Sequence, residues 1–512
     1  MTPGGAARVA PGPFGLGPGA RRLALADTIQ DMTPALQRRV LDCILLLGPV
    51  GVAVLLNVKV KYALLAIVAL AIIGLVIVRP VISAYALIFL TPLVVGINAG
   101  SVIPALRPNE ALIVLFAAAI ALRWLGRLRT GELRWPPIDR VDATIIALGV
   151  TSSALPLAMM VVRQRPITQD DLLYCIVIWK LLAEYVIVRS VVKTREQALR
   201  CLVLSMAAAA IVCVIGMLQA LHLFGVPGLL AKYYAPNEVT SPLSDGRGSS
   251  LLGLPAAVAD LAILNLGIAI AMLVRGYPRR LWLGGLAALF ALGVIAAAEF
   301  STLIGLIVAL VALMVLTKAG RIAVYAVPVA VVGGVLLWPV IQTRLGGFNS
   351  ATGLPVSWIN RLYNLRTYFW PVLFSDNNWI LGVEPSARIA TDTRQYGYVW
   401  IESGYTWLLW GGGIPLLASY FAFVAAVLRK CWAYARRAGP AGVAATAIAA
   451  ATCSQVVLML FDPHLTYRGS GDLYFLLLAL VRSLPGRDEP ADDGHKPVTA
   501  RATTRRPREV PA

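Results

Sequence analysis

Long apolar blocks constrain this chain more than any other feature of its sequence. Between residues 40 and 484, blocks of about 16 to 24 mostly apolar residues alternate with short charged clusters. Of the 512 residues, 58% are hydrophobic and 14% are charged, whereas an ordinary soluble domain has about 25% charged residues. A soluble core of this size would show alternating apolar and polar faces. The sequence therefore predicts an all-α, polytopic transmembrane helical bundle of about 12 to 14 spans.

Hydropathy and the charged clusters predict where the spans lie. At the upper estimate there are fourteen predicted spans. They are 40–57, 62–78, 81–97, 110–122, 143–161, 172–188, 201–222, 257–274, 281–298, 302–317, 322–341, 405–428, 441–461 and 473–484. The shortest of these depart most from the usual length of about 20 residues.

These spans predict the organisation of the rest of the chain. The N-terminal 39 residues are rich in Pro, Gly and Arg and show no cleavable signal pattern, so we expect a disordered cytoplasmic tail. The large outer loop is expected to fold as short helices and to carry functional residues. The segments are the tail 1–39, transmembrane helices 1–7 in 40–223, a first long outer loop 224–256, helices 8–11 in 257–342, the large outer loop 343–404, helices 12–14 in 405–484, and a disordered basic cytoplasmic tail 485–512.

Basic residues predict the orientation. With both termini in the cytoplasm, 31 of the 45 Lys and Arg residues fall on the cytoplasmic side, counting Arg482 at the cytoplasmic end of the last span, 13 fall outside, and Lys180 lies within a span. This bias satisfies the positive-inside rule. Basic clusters can bind nucleic acid, but orientation against anionic lipid is the simpler interpretation, so we expect the lipid bilayer and no nucleic acid as a partner.

The large outer loop has an unusual composition. The loop and the first turns of the next span contain 14 of the chain's 42 aromatic residues, together with five arginines and four acidic residues. Aromatic rings stack on sugar faces, and arginine pairs with phosphate oxygens through two parallel hydrogen bonds. The alternative is an interfacial aromatic belt with solvated charges. Cys and His residues are scattered, and no nucleotide-binding motif is visible, so we expect neither a metal nor a cofactor.

Several motifs resemble those of the O-antigen ligase and O-antigen polymerase superfamily of bacterial membrane glycosyltransferases. The first is Arg247-Gly-Ser-Ser-Leu-Leu-Gly-Leu-Pro255, which keeps the Arg, Gly and Pro of the family but lacks its two Asn residues. The second begins at Arg361 and runs through Arg366 to Trp370 and the next residue, Pro. The third is Glu402-Ser-Gly-Tyr405, followed by Gly-Gly-Gly-Ile-Pro, with Glu402 where ligases carry His. This substitution resembles polymerases more than ligases.

The resemblance implies an activity, a location and partners. The expected enzyme transfers or polymerises polyprenyl-diphosphate-linked glycan repeat units of the O-antigen, exopolysaccharide or capsule type. Its partners would be the lipid-linked donor, a glycan acceptor and other polysaccharide-assembly membrane proteins. The reaction is expected to be metal-independent and to take place at the outer face of the bacterial plasma membrane. Displacement at the anomeric carbon needs a base for the acceptor hydroxyl and positive charge for the departing diphosphate.

The resemblance also assigns roles to residues. Glu402 is the expected base or acceptor-orienting group, and Arg247 and Arg361 are the expected catalytic cations. Arg366 and Arg344 are further candidates for the diphosphate. Because Arg361 and Arg366 are five residues apart on one predicted helix, only one of them is expected to face the donor. Substrate binding is also expected from Trp370 and Tyr405. For Glu402, the structural alternative is a solvated acid that favours a helix start.

Polar residues inside the spans have two interpretations each. Lys180 and Glu184 lie one helical turn apart, so they are expected either to pair with each other or, for Lys180, to reach the diphosphate. Asp260 lies one turn into the eighth predicted span and is expected to pair with Arg247 or to bind a sugar hydroxyl.

Other classes of membrane protein remain alternatives. A lipid-linked-oligosaccharide flippase or another polysaccharide-export transporter would share the span count and the charge bias, but it would show two similar halves. No internal repeat is visible. A polyprenyl-phosphate sugar transferase of another class is expected to carry acidic residues in its first outer loop, which has none here. A non-enzymatic scaffold or channel is the third alternative.

Overall fold

The fold is a bundle of α-helices. The computed structural model describes residues 60–98, 106–129, 131, 138–234, 246–391 and 397–484. The predicted first span, 40–57, and both tails, 1–39 and 485–512, lie outside the described residues. The helices of the first half are α1 Val60–Val78, α2 Val81–Val94, α3 Pro108–Arg129, α4 Arg140–Ser152, α5 Ala154–Val162, α6 Gln169–Val191, α7 Arg195–Ala220 and α8 Val226–Tyr233.

The second half contains longer helices separated by the large loop. These helices are α9 Pro255–Val274, α10 Arg280–Ala297, α11 Phe300–Thr317, α12 Arg321–Leu336, α13 Trp338–Leu345, α17 Gly404–Ala435, α18 Pro440–Leu458 and α19 Ser470–Leu478. The loop itself contains α14 Val356–Asn364, a π-helical turn Leu365–Phe369, α15 Trp370–Phe374 and α16 Asn378–Leu381, followed by strands β1 Arg388–Ala390 and β2 Tyr398–Trp400. The antiparallel hairpin of β1 and β2 is a feature that the sequence did not predict.

The all-α class of the prediction is confirmed. Each of the thirteen predicted spans after the first overlaps a described helix or a pair of consecutive helices. Eight of the described helices, counting α4 and α5 as one, are long and apolar enough to cross a membrane, and a bent pair formed by α12 and α13 would be a ninth. The chain is therefore a multi-pass membrane protein. The total of 12 to 14 spans stays a prediction.

Capping residues begin several of the helices. Thr168 caps α6 and forms a capping box with Asp171, and Thr194 caps α7 in the same way with Gln197. In each box a side chain accepts a hydrogen bond from a backbone N–H that would otherwise have no partner. These polar residues thus fix where the apolar segments become helical.

Helix α9 lies at the centre of the bundle. Of its 20 residues, 17 are buried. A Cβ atom on Gly267 would lie 3.0 Å from Cα of Ala447 in α18, so small residues let these two backbones approach closely. Packing of this kind drives helix association where lipid removes the hydrophobic difference between inside and outside.

The last helix is shorter than the predicted span 473–484. It begins beside the middle of α6, where Asp472 contacts Lys180. Lys180 is eleven residues, or about 16 Å, from the first residue of α6. Arg482 then contacts the carbonyl of Arg189 near the other end of α6. The loop between α18 and α19, residues 459–469, therefore enters the bundle. Because α19 begins inside the bundle, it extends along only the second half of α6. We call the end of the bundle that carries residues 346–403 the loop end.

Three consecutive glycines bend α17 beneath the large loop. Gly413 has φ +63° and ψ −155°, a conformation that is essentially restricted to glycine. A Cβ atom at this position would lie 2.3 Å from the carbonyl oxygen of Ile380 in α16. The bend is therefore the place where the large loop docks on the bundle.

We predict that Gly413→Ala lowers the free energy of unfolding by about 1–3 kcal/mol or more. Alanine is strained in this backbone conformation, and its methyl group would collide with the carbonyl of Ile380. Thermal unfolding of the purified protein in detergent measures the effect. Gly334→Ala is the matched control, since no atom lies within 4 Å of that Cβ position and alanine is the better helix former. Equal unfolding temperatures for both variants would contradict this account of the bend.

Labelling of single cysteines tests the orientation. We predict that a membrane-impermeant maleimide modifies Ser375→Cys in intact cells, because the loop end is expected to face outwards. It should modify Ala438→Cys, beside Arg436 and Arg437, only after permeabilisation, because basic clusters remain in the cytoplasm. Both positions are exposed, and the native chain is the background control. The reverse labelling pattern would show that the orientation is wrong.

Candidate functional site

Charged side chains from separate segments converge at the loop end. Arg361 lies at the centre, with Nη2 2.7 Å from Oδ2 of Asp462 and Nε 3.7 Å from Oε1 of Glu402. The other oxygen of Glu402 accepts a hydrogen bond of 3.1 Å from Nδ2 of Asn364. We use the name loop-end cluster for Arg247, Asp260, Glu299, Arg361, Glu402, Asp462 and His464.

Helix α14 positions the centre of the cluster. Arg361 and Asn364 are three residues apart and therefore share one face of the helix. The ring of Trp358, one turn earlier, lies 5.0 Å from that of Phe461, so this helix lies over the loop that precedes α19. The π-helical turn follows, and Arg366 is exposed. The two arginines therefore diverge, as their spacing predicts.

His464 joins the cluster from the loop before α19. Its Nδ1 lies 2.7 Å from Oδ2 of Asp260 in α9, and its backbone N–H donates to the carbonyl of Asp462 at 2.8 Å. A short 3₁₀ turn that begins at His464, just after a proline, holds this geometry. The ring centroid of Tyr467 is 4.7 Å from that of the imidazole. The loop thus presents a carboxylate and an imidazole to the same cluster.

Glu299 joins Arg247 to the rest of the cluster. It occupies the N-cap position of α11, and its Oε1 lies 3.4 Å from Nη1 of Arg247. Its negative charge also favours the charged forms of Arg361 and His464. The first long loop and the large loop therefore contribute to one electrostatic site through this carboxylate.

Burial and ion pairing set the protonation states. Burial raises the pKa of Asp462 to about 7, although Arg361 and His464 oppose the rise. Burial disfavours the charge of Arg361, yet the carboxylates of Asp462, Glu299 and Glu402 together raise its pKa. Burial likewise opposes protonation of His464, and Asp260 outweighs it, so the pKa of His464 is raised. A carboxyl group that titrates near neutrality is suited to proton transfer.

A small cavity lies beneath the cluster. It has a volume of about 20 Å³, enough for one water molecule but not for a sugar. Asp260, His464, Ser454 and Ser470 are among the residues that line it. Within the described structure, Nε2 of His464 and both serine hydroxyls are buried without a hydrogen-bond partner. The mostly apolar cavity therefore has buried polar atoms without a partner beside the Asp260–His464 pair.

Two of the predicted pairings are wrong. Asp260 binds His464, not Arg247, because the loop before α19 dips to the depth of Asp260 while Arg247 is held by Glu299. Lys180 pairs with Asp472 at 2.5 Å and not with Glu184, which lies within electrostatic range of both. In both cases a long-range contact replaces the pairing inferred from spacing along the chain.

Three other predicted substrate-binding residues contact protein. Arg344 lies over the ring of Phe300, with Cζ 5.3 Å from the centroid. Trp370 donates to Thr406 at 3.4 Å. The hydroxyl of Tyr405 donates to a backbone carbonyl of α18 at 2.7 Å. The last two contacts attach the large loop and the start of α17 to the bundle.

The sequence did not predict three members of the loop-end cluster: Glu299, Asp462 and His464. A signal was present, because the last predicted outer connection contains Asp462, His464, Tyr467 and Arg468 within seven residues. Short connections between spans need no such density of polar groups. Only the dip of this loop into the bundle reveals why these residues are there.

Comparison with protein-family models, with characterised proteins and with solved structures finds no match. The resemblance to membrane glycosyltransferases therefore stays a prediction that rests on the quoted residues. The described residues contain no group of three or more His, Cys, Asp and Glu side chains that could hold a metal ion.

The raised pKa of Asp462 predicts a pH dependence of stability. Because this pKa is about 7 in the folded protein and 3.8 for an ordinary Asp, the folded state holds more protons than the unfolded state between those values. The free energy of unfolding therefore falls as pH rises through this interval. Asp462→Asn should remove this component, so the difference between the two thermal unfolding temperatures should change between about pH 5 and pH 8.

Asp376→Asn is the control for that experiment, since Asp376 is exposed and its variant should follow the native protein at every pH. A constant difference between the native protein and Asp462→Asn would show that Asp462 does not titrate near neutrality.

Proposed function

We propose that this chain is a membrane glycosyltransferase that transfers or polymerises polyprenyl-diphosphate-linked glycan repeat units at the outer face of the bacterial plasma membrane. The observation that carries the proposal is the contact of Arg361 with both Asp462 and Glu402. These residues come from the large loop, from its exit and from the last loop. An arginine bridging two carboxylates at an accessible bundle end fits acid–base chemistry on a polar substrate.

The geometry supports Glu402 as the group that receives the proton. Its side chain is 33% exposed, whereas that of Asp462 is 10% exposed, so an acceptor sugar reaches Glu402 first. In the proposed step, the acceptor hydroxyl oxygen forms a bond to the anomeric carbon as the bond from that carbon to the diphosphate oxygen breaks. The hydroxyl proton passes to Glu402, and Asn364 and Arg361 hold the carboxylate in place.

Charge balance assigns different roles to the arginines. The loop-end cluster contains two arginines, one histidine and four carboxylates, and both arginines already contact carboxylates. Such a cluster orients hydroxyl groups and moves protons more readily than it binds a diphosphate. Arg361 therefore acts in the proposal as the cation that keeps the carboxylates charged and positioned, and as a local electrostatic stabiliser of the transition state.

A transporter is the second candidate, and one observation favours it. Lys180, Glu184 and Asp472 form a buried group of ionisable residues near the middle of α6. Ionisable residues at membrane depth mark proton or substrate pathways in pumps and transporters. A flippase or exporter of lipid-linked glycan would use this group instead of the loop-end cluster.

We predict that Glu402→Gln lowers the rate of glycan transfer by about 10² to 10⁴, because the amide keeps the shape but cannot accept the proton. Arg361→Gln should also lower it, by about 10² to 10³, since the electrostatic contribution is lost. Polymer length and yield from a lipid-linked donor, with the protein reconstituted in liposomes, measure both effects.

Two controls accompany the transfer assay. Asp376→Asn and Arg321→Gln remove exposed charges that do not belong to the loop-end cluster and should keep native activity. Unfolding temperatures must show that each inactive variant is folded. Native polymer yield from both Glu402→Gln and Arg361→Gln would reject the enzyme, and flipping of a labelled lipid-linked glycan that is lost in Lys180→Gln would favour the transporter.

A further inference from the structure

A second charged region lies beside the loop-end cluster, and its balance of charge is different. Arg107 precedes α3, and its Nη1 lies 3.1 Å from the carbonyl oxygen of Val95 at the end of α2. A Cβ atom on Gly469, the residue after Arg468, would lie 3.0 Å from the side chain of the same Val95. Two arginines that are distant in sequence therefore flank one turn of backbone.

The guanidinium of Arg468 has no carboxylate partner in the part of the chain that the structure describes. Its charged neighbours include Arg107 and Lys180, and it repels both. Arg468 is exposed, although it lies one turn above the contact of Asp472 with Lys180 near the middle of α6. A charged group at membrane depth needs a counter-charge or water.

Burial and the positive charge of Arg468 lower the pKa of Arg107 to about 10. The negative charge of Glu110 opposes this change only in part. Arg107 donates to backbone carbonyls, and Glu110 accepts a hydrogen bond from its backbone N–H. An anion between the two guanidinium groups would relieve their repulsion.

An aromatic hairpin borders the same region. Arg388 lies over the rings of Tyr398 and Trp400, with Cζ 5.0 and 5.1 Å from the centroids, and it pairs with Asp170 at the start of α6. The indole N–H of Trp400 and Nε of Arg388 are buried without a hydrogen-bond partner among the described residues. Tyr174, in the next turn of α6, lies within electrostatic range of both Arg388 and Arg468. A sugar beside a phosphate group would therefore lie next to this aromatic hairpin.

The neighbouring face of α6 is apolar and exposed. Leu172, Leu173 and Ile176 are each at least half exposed in the protein, so they face lipid. A ligand with a hydrocarbon chain can therefore place its headgroup at the arginines while the chain stays in the bilayer. A free anion has no hydrocarbon chain, so this apolar face does not increase its affinity.

We propose that Arg107 and Arg468 bind the diphosphate of a lipid-linked glycan, with the β1–β2 hairpin beside its first sugar. We call this site the basic cleft. The choice of ligand rests on the proposed function, and the location rests on the contacts described above. The loop before α19 connects the two sites, because Asp462 belongs to the loop-end cluster and Arg468, six residues later, belongs to the cleft. Asp462 also pairs with Arg361, which contacts Glu402, so this loop links the proposed phosphate site to the proposed proton acceptor.

Binding of farnesyl diphosphate to the purified full-length protein in nanodiscs tests the proposal. Arg468→Gln and Arg107→Gln should each weaken binding about tenfold or more, because hydrogen bonds to a charged group are lost. Arg468→Lys should restore only part of the affinity, since an ammonium does not reproduce the two parallel hydrogen bonds of arginine. Arg361→Gln and the exposed control Arg321→Gln should change binding by less than about threefold.

Competition identifies the source of the phosphate. Farnesol should not compete, and inorganic diphosphate should compete only at much higher concentration than farnesyl diphosphate. Equal potency of inorganic diphosphate would overturn the lipid assignment in favour of a free anion. Loss of binding in phosphatidylglycerol nanodiscs, but not in phosphatidylcholine nanodiscs, would overturn it in favour of ordinary anionic lipid.

Other outcomes separate this proposal from the proposed function. Unchanged binding in both Arg468→Gln and Arg107→Gln, or an equal loss in Arg361→Gln, would remove the basic cleft as the diphosphate site. If binding maps to the cleft but the native protein transfers no glycan, the inference holds and the enzyme proposal fails, which leaves a carrier of lipid-linked glycan.

Discussion

The ion pair between Arg361 and Asp462 ties the large loop to the bundle, and the arrangement of the loop end depends on it. Removing one partner of a buried, hydrogen-bonded ion pair typically costs about 3–5 kcal/mol, because the other charge is left without compensation. Asp462 reaches Arg361 only because the loop before α19 dips into the bundle. The same dip shortens α19, brings His464 to Asp260 and places Asp472 beside Lys180.

This single loop also separates two kinds of chemistry. Its first half contributes a carboxyl group and an imidazole to an acid-rich cluster, where one pKa lies near neutrality. Its second half presents Arg468, which has no carboxylate partner among the described residues, to the like charges of Arg107 and Lys180 and to exposed apolar surface. The six residues from Asp462 to Arg468 connect the proposed phosphate site to Arg361, which contacts the proposed proton acceptor Glu402. Such a connection favours reaction by correct positioning.

Interactions between distant residues explain which site predictions failed. The pairing of Lys180 with Glu184 follows from helical spacing, yet Asp472, 292 positions later, is the residue that lies at 2.5 Å. Asp260 was likewise assigned to a neighbour in sequence, whereas its partner His464 comes from the last loop. In a bundle without polar solvent, a buried charge contacts whichever opposite charge the helix packing brings to its depth. Local spacing contains no information about that depth.

The sequence by itself determined the all-α membrane class, where most of the long apolar helices lie and the concentration of charged and aromatic residues in the late loops. Long apolar blocks allow few other structures, because every backbone polar group must find its partner within a helix when lipid surrounds it. The divergence of Arg361 and Arg366 is also local, since both residues belong to one short helical stretch in which an α-helix passes into a π-helical turn. Only the tertiary structure decided that the last loop enters the bundle, that Glu299 links two loops and that Arg468 lies beside Arg107, because these contacts depend on how helices far apart in sequence pack together.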